Sequence, residues 1–586
     1  MSDRAPTVEA RIPASLDGQV QTALARAQDE RVAERLRQGD ATLWGPPGTP
    51  EVANRLGWLT IAERTLDELG PIELFAAEQR DGEVSDVVLL GMGGSSLAPE
   101  VLRRAFAGAA TGSPPAPRLH VLDSTDAARV RAVQEAVDLP NTLFLVSSKS
   151  GGTIEPLSLF AHFFSLVENG NRFVAVTDPG TGLEQLAGER GFLRVFHGDP
   201  DIGGRYSALS AFGVVPAALV GIDVRTLLAG ASQAWETQLT EADAAGGGAG
   251  TGGAGAQLPA AVWLGAALAA LARAGRDKLT FVISPTLPGL GLWLEQLVAE
   301  STGKHGTGIL PVAEEPLGEP AAYGEDRVFA YLPDVGAPDP DTDARVQALA
   351  DAGHPLLRVP TRGPHDLGRV FLLAELAVAV AGWGLQINPF DQPNVQQAKD
   401  ATNRVLADFR SSGSLPSVGD ASSDRLRELL LGAAAPAYVA LMAYLEPSQE
   451  FDAAIAELRE AIRAAGKATT TFGYGPRFLH STGQFHKGGP KTGRFLQLIH
   501  DAGQDVAIPG EPYTFTTLKN AQATGDLQTL RELGLPAERV RLSGEDPVGA
   551  LRALTATIKE RADRPGRESP EGEHANRESR PEAGSR

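Results

Sequence analysis

Four short apolar runs, interleaved with helical patterns, constrain this chain most. In Asp86-Val87-Val88-Leu89-Leu90-Gly91, an apolar run starts after Asp86 and ends in glycine, and similar runs recur at Leu119–Leu122, Thr142–Val146 and Phe173–Val176. A continuous run, unlike an alternating one, belongs to a strand buried on both faces. Helical patterns separate the runs at Ala98–Ala107, Ala127–Ala136 and Ile154–Asn169. Strands alternating with helices predict a parallel sheet covered on both sides. A second alternation begins near Lys278, with strands at Leu279–Ser284, Arg327–Leu332 and Leu356–Val359, and helices at Leu290–Ala299 and Leu367–Gly384.

This divides the 586 residues, too many for one core, into two doubly wound parallel-sheet α/β domains with helical extensions at both ends. Residues 1–80 are expected to be a helical segment, from the apolar spacing in Leu16–Gln38 and Val52–Leu69. Residues 81–243 form the first α/β domain, 244–258 a Gly/Ala-rich flexible insertion, and 259–420 the second α/β domain. Residues 421–561 are expected to be mostly helical, with segments near Ser423–Glu446 and Asp452–Ala465. Residues 562–586, rich in Arg, Glu, Pro, Gly and Ser, are expected to be a disordered tail.

Composition narrows the partners. A net charge of −20 disfavours nucleic acid and anionic membrane surfaces, which are polyanions. The absence of cysteine removes disulfides, thiol nucleophiles and thiolate metal sites. The first residues, Met1–Pro13, carry acids and no apolar core, unlike a signal peptide. The apolar stretch Ala260–Ala272 is too short to span a bilayer. A soluble, cytoplasmic protein is expected.

Three loops could carry chemistry. Gly91-Met92-Gly93-Gly94-Ser95-Ser96 follows a strand and precedes a helix, so its amides can approach an anion. It lacks both the third glycine of a dinucleotide fingerprint and the Gly-Lys-Ser/Thr of a P-loop, and a plain strand–helix turn is the alternative. Ser147-Ser148-Lys149-Ser150-Gly151-Gly152-Thr153-Ile154-Glu155-Pro156 occupies the same position after the run Thr142–Val146. Its hydroxyls at Ser148, Ser150 and Thr153, with amides around Gly151 and Gly152, make a nest for a phosphate, and Lys149 adds charge if it points inward. Gly203-Gly204-Arg205-Tyr206-Ser207 aims a permanent cation, able to stabilise an oxyanion or simply to pair with an acid. In Ala299-Glu300-Ser301-Thr302-Gly303-Lys304, a carboxylate ends an apolar helical pattern. Shielded by Trp293, Leu297 and Val298 it would titrate high, as a proton-abstracting base must; a solvated helix-end residue is the alternative.

Taken with Asn388-Pro389-Phe390-Asp391-Gln392-Pro393, these motifs resemble the glucose-6-phosphate isomerase family, of the sugar isomerase (SIS) fold, from about residue 50 to about 530. Leu479-His480-Ser481-Thr482-Gly483-Gln484-Phe485-His486-Lys487-Gly488-Gly489 is similar to the isomerase half of bacterial transaldolase/phosphoglucose isomerase fusions, although a stand-alone isomerase is expected here. The resemblance implies two SIS-type domains and an aldose–ketose isomerisation between D-glucose 6-phosphate and D-fructose 6-phosphate through a cis-enediolate. It implies no cofactor, no metal and a homodimer. Dual activity on mannose 6-phosphate, or a non-catalytic sugar-phosphate sensor, are the alternatives. As catalytic residues it implies Glu300 as the proton shuttle, His480 and Lys399 for ring opening, and Arg205 for the enediolate. Gly94, Ser95, Ser148, Lys149, Ser150, Thr153, Gln296 and Gln392 would bind substrate. The histidine motif follows the Phe-Asp-Gln motif instead of preceding it, so His486 stands as the rival of His480.

Overall fold

The computed structural model describes residues 7–107, 116–240 and 258–562. The glycine-rich insertion and the C-terminal tail singled out above lie almost wholly outside the described residues.

Fourteen strands build three sheets among the described residues. In chain order they are β1 (Glu9–Arg11), β2 (Asp86–Gly91), β3 (Arg118–Leu122), β4 (Thr142–Ser147), β5 (Phe173–Thr177), β6 (Arg194–His197), β7 (Lys278–Ile283), β8 (Leu310–Val312), β9 (Arg327–Leu332), β10 (Leu356–Arg358), β11 (Tyr438–Tyr444), β12 (Thr469–Tyr474), β13 (Gly493–Ile499) and β14 (Ala537–Arg541). The first sheet has the order β3-β2-β4-β5-β6 and is wholly parallel. Along β2, Val87 and Leu89 enter the core cluster shared with the helix Leu97–Ala105, whereas Val88 and Leu90 enter the one shared with the helix Ile154–Val167. Each face of the strand is therefore sealed by a helix, the reason its sequence is continuously apolar. The chain is an α/β fold with helical extensions, as the alternation of runs implies.

The second sheet has the order β1-β10-β9-β7-β8. Its edge strand β1 pairs antiparallel with β10, so the N-terminal segment is not purely helical. Three residues are too few for a periodicity to register, and the pairing exists only because β10 offers a free edge. The segment Pro364–Leu385, which contains the long helix Leu367–Leu385, is long and apolar enough to cross a membrane, but 94% of its apolar stretch is buried inside the protein. It packs on Ala260–Arg273 as a core helix.

The third sheet, β12-β11-β13-β14, corrects the expectation of a mostly helical region over residues 421–561. Ser423–Glu446 is not one helix. A helix over Ser423–Leu431 stops at Gly432, and after Pro436 the chain enters β11. Val439-Ala440-Leu441-Met442-Ala443 is built largely of good helix formers, so its local preference points the wrong way. Burial on both faces by separate clusters overrides that preference.

The third sheet is moored to the second by buried charge. Arg327 on β9 donates to both oxygens of Glu315, at 2.7 and 3.1 Å, and to Thr280 Oγ1. Glu315 also accepts from Thr470 on β12, and Arg459 reaches the carbonyls of Ala313 and Glu314 from the helix Gln449–Gly466. Although burial opposes its ionisation, the arginines hold the Glu315 carboxyl below the usual range. Glu315→Gln leaves Arg327 without its counter-charge and is expected to cost about 3–5 kcal/mol, read as a fall in the urea midpoint of unfolding. A change under about 1 kcal/mol would show that neither Arg327 nor the docked third sheet depends on the Glu315 charge.

Candidate active site

Strand order reverses at β2, since the chain passes from β2 to β3 on one side and then returns to β4 on the other. This opens a crevice at the carboxyl ends of β2 and β4, the place where open α/β sheets bind ligands. The loops after these two strands are the two read above as anion nests.

The first loop is pressed between two others. Gly93 has φ +54°, and a Cβ there would stand 2.8 Å from the carbonyl of His480 and 2.9 Å from Gln296 Nε2. A Cβ on Gly94 would stand 2.0 Å from the carbonyl oxygen of Gly204. Only glycine lets the Gly91–Ser96 loop, the Gly203–Arg205 loop and the His480 segment meet. In the second loop, Ser148 is buried and donates to Thr153 Oγ1 at 3.1 Å, while Ser150 is exposed at the rim. Ser95 is also buried. The side chain of Lys149 departs from its expected place. Its ammonium is held by Asp178 and by the carbonyl of Asp199, so its charge is spent on a carboxylate and only its backbone belongs to the nest. Asp178, 29 residues away in sequence, gave no signal of this pairing.

Glu300 is near the end of the helix Leu290–Thr302, only 5% exposed. The solvated alternative is therefore excluded. Burial raises its carboxyl to about 7 against the opposing pull of Arg205, His480, Gln296 and Lys304. Arg205 is 1% exposed. Its Nε donates to Ser301 Oγ, Nη1 to Gln392 Oε1, and Nη2 to the carbonyls of Pro389 and Asp391. A guanidinium has five N–H groups. Four are engaged in these contacts, and the nitrogen with an N–H to spare, Nη1, is 3.5 Å from the Glu300 carboxylate. Lys304 grips the same turn, donating to the carbonyls of Asn388 and Asp391 and to the Asp391 carboxylate. Burial lowers its ammonium to about 7.

His480 ends the short helical turn Arg477–His480, which follows β12. Its Nε2 is 2.9 Å from Glu155 Oε1, and its carbonyl accepts from Gln296 at 2.8 Å. Glu155 is buried in the first turn of the helix Ile154–Val167. Burial opposes its ionisation, but His480, the local backbone and Lys399 bring its carboxyl below the ordinary value. Lys399, from the helix Pro393–Ser412, lines a cavity of about 90 Å³ with Glu155, His480, Ala398 and Gln522. His486 does not share this setting. Its ring is packed among Tyr438, Phe478 and Phe495, both nitrogens lack partners, and burial lowers it to about 3. Gln484, in the same motif, ties the site together by donating to the carbonyl of Gly303 and to Asn394 Oδ1.

The structure thus gathers Glu300, Arg205, Gln296, Gln392 and His480 in one place, with Lys399 beside the His480–Glu155 pair and Gly94 and Ser95 in the adjoining loop. Ser148 and Thr153 form the second wall. Glu155 was missed as a site residue, although it lies within the second loop. An acid in a helix's first turn is ordinary, and only the fold brings it to a histidine 325 residues away. Gln484, Gln522 and Lys304 were missed for the same reason.

Residues 76–244 match the phosphoglucose isomerase family. A glucose-6-phosphate isomerase of Rubrobacter xylanophilus is 31% identical over an alignment spanning 66% of this chain and 95% of that protein. A glucose-6-phosphate isomerase of Thermus thermophilus is 29% identical, spanning 61% and 91% respectively. Among solved structures, a glucose-6-phosphate isomerase from Chlamydia trachomatis superposes with a TM-score of 0.55 at 20% identity, covering 67% of this chain and 86% of that one, and supports the fold.

The raised carboxyl of Glu300 has a consequence for stability. A group whose folded-state value lies near 7, above the ordinary 4.5, favours folding most below about 4.5 and loses that contribution as pH rises through 7. Glu300→Gln is neutral at every pH and removes the loss. The variant is expected to melt higher than the parent at pH 8, with the gap shrinking towards pH 5. A gap independent of pH would show that this carboxyl titrates normally.

Proposed function

This chain belongs to the glucose-6-phosphate isomerase family, and we propose how the residues gathered at its sheet edges divide the reaction. It is an aldose–ketose isomerase that interconverts D-glucose 6-phosphate and D-fructose 6-phosphate. The observation that carries the assignment is Glu300, a carboxyl buried between a guanidinium and a histidine and raised to about 7.

The phosphate is anchored in the nest of Ser95, Ser148, Ser150 and Thr153 and the backbone of the Gly94 and Lys149 loops. Anchoring there, away from the reacting carbons, supplies binding energy that orients the sugar. His480, held by Glu155, and Lys399 open the ring by moving protons at the ring oxygen and the anomeric hydroxyl. Glu300 then removes the C2 proton of the open aldose, giving a cis-enediolate, and returns that proton to C1. One carboxylate suffices because the carbons are adjacent. A base whose proton affinity is near neutral is matched to this task. Arg205, saturated on its other faces, turns its remaining N–H towards the developing oxyanion, with Gln296 and Gln392 as neighbouring polar contacts.

A homodimer is expected from the resemblance, and within one chain His480 already stands 2.9 Å from Glu155. The negative charge and the lack of cysteine suit a cytoplasmic setting without nucleic-acid or membrane partners.

Glu300→Gln is expected to lose turnover by about three orders of magnitude or more while still binding a sugar phosphate in calorimetry. Near-normal turnover would remove Glu300 from the role of base. His480→Ala is expected to be impaired mainly on the cyclic sugar, and His486→Phe to keep most of its activity. The reverse pattern would reassign ring opening to His486.

A further inference from the structure

We infer that Gln522 is a positioning residue that locks Glu155 against His480, and that Thr125 sets the direction of its amide. The inference rests on the ring-opening role proposed above for His480.

Gln522 lies on the helix Phe515–Glu532, which packs beside the third sheet, and is 2% exposed. Its Nε2 donates to Glu155 Oε1 at 2.7 Å, the same oxygen that stands 2.9 Å from His480 Nε2. Its Oε1 accepts from Thr125 Oγ1 at 2.7 Å, and Thr125, in the loop after β3, is fully buried. The two contacts fix the amide. Turned over, it would set its carbonyl oxygen against a carboxylate, so the arrangement with Thr125 as donor is the one that satisfies all three groups. The chain Thr125–Gln522–Glu155–His480 therefore runs from the loop after β3, through the helix Phe515–Glu532, to the start of the helix Ile154–Val167 and out to the histidine.

Every donor to the Glu155 carboxylate favours its ionised form and weakens its hold on the shared proton. The other titratable groups facing the pair are Lys399 from the helix Pro393–Ser412, Glu300 from Leu290–Thr302 and Tyr444 from β11. Lys399 acts in the same direction as Gln522, and Tyr444, a neutral buried phenol, adds no charge. Without Gln522, the carboxylate retains His480 but loses its second side-chain donor. The pair then holds its proton more tightly and is less firmly oriented. The effect is read in the apparent values of the pH profile.

The test is the pH dependence of kcat/KM on cyclic glucose 6-phosphate for the full chain and for Q522L, Q522E, T125V and Q522L/T125V. In Q522L the limb belonging to the pair is expected to move to higher pH by roughly half a unit to one unit, with kcat down about tenfold and KM within about twofold. Q522E, which sets a second carboxyl against the first, is expected to move the limb further the same way. T125V, nearly isosteric, frees the amide and moves it less. The double variant is expected to match Q522L, because Thr125 acts through Gln522. Falls in kcat with the profile unmoved in Q522L and T125V alike would overturn the inference, leaving Gln522 a packing residue. If Q522L does not fold, the T125V profile alone decides. H480A keeps this outcome separate from failure of the underlying reading. Parent-like turnover in H480A would remove the histidine itself, whereas lost turnover in H480A with unshifted Gln522 and Thr125 profiles would remove only the relay.

Discussion

The buried guanidinium of Arg205 is the interaction on which the site depends. A charge taken out of water is tolerated only when its donors are satisfied. Here the partners come from two places in the sequence: Ser301 after the base, and the turn 389–392, through Gln392 and the carbonyls of Pro389 and Asp391. Satisfying one cation therefore draws together the loop after β6, the end of the helix Leu290–Thr302 and the turn that starts the helix Pro393–Ser412. Lys304 repeats the grip from the other side of that turn. Neither cation is screened by solvent, and the same burial that makes them costly raises the proton affinity of Glu300. Stability and reactivity at this place are two results of one desolvation.

The third sheet has a different part. It supplies no strand edge to the anion nests, yet it delivers His480 and the helix that carries Gln522. Its position is set by buried pairs: Arg463, on the helix Gln449–Gly466, with Glu315 towards the second sheet, Lys519 with Asp126 towards the first, and Lys487 of the histidine segment with Asp526 on the helix Phe515–Glu532. Such pairs contribute little net stability beside apolar packing, but they are directional, and a misdocked sheet would leave charges unpaired in the interior. Directional contacts suit a unit that must hold a histidine within hydrogen-bonding distance of a carboxylate.

Much of this was legible in the residues. The strands β2, β4 and β5 appear as apolar runs because sheets covered on both faces have no polar side. The loops after β2 and β4 appear as clusters of glycine and hydroxyl residues because backbone amides need small neighbours to approach an anion. Glu300 stood out as a carboxyl in an apolar helical pattern. The third sheet did not, because the residues of β11 prefer a helix in isolation and become a strand only between two buried faces. Lys149 was legible as a cation but not as one neutralised by Asp178. Glu155 was visible in its loop and silent about its partner.

The sequence by itself determined the local chemistry: which segments can be buried strands, which turns can cradle an anion, and which side chains can act as base, cation or hydroxyl donor. Those properties follow from side-chain size, polarity and spacing along a short stretch of chain. Tertiary structure alone decided which of these groups meet. It placed His480 on Glu155 and His486 in an aromatic core, although the two histidines are six residues apart in one motif. It also raised Glu300 and lowered Lys304, bringing both to about 7. Burial and the distances between charges set both outcomes, and neither quantity exists until distant segments have packed.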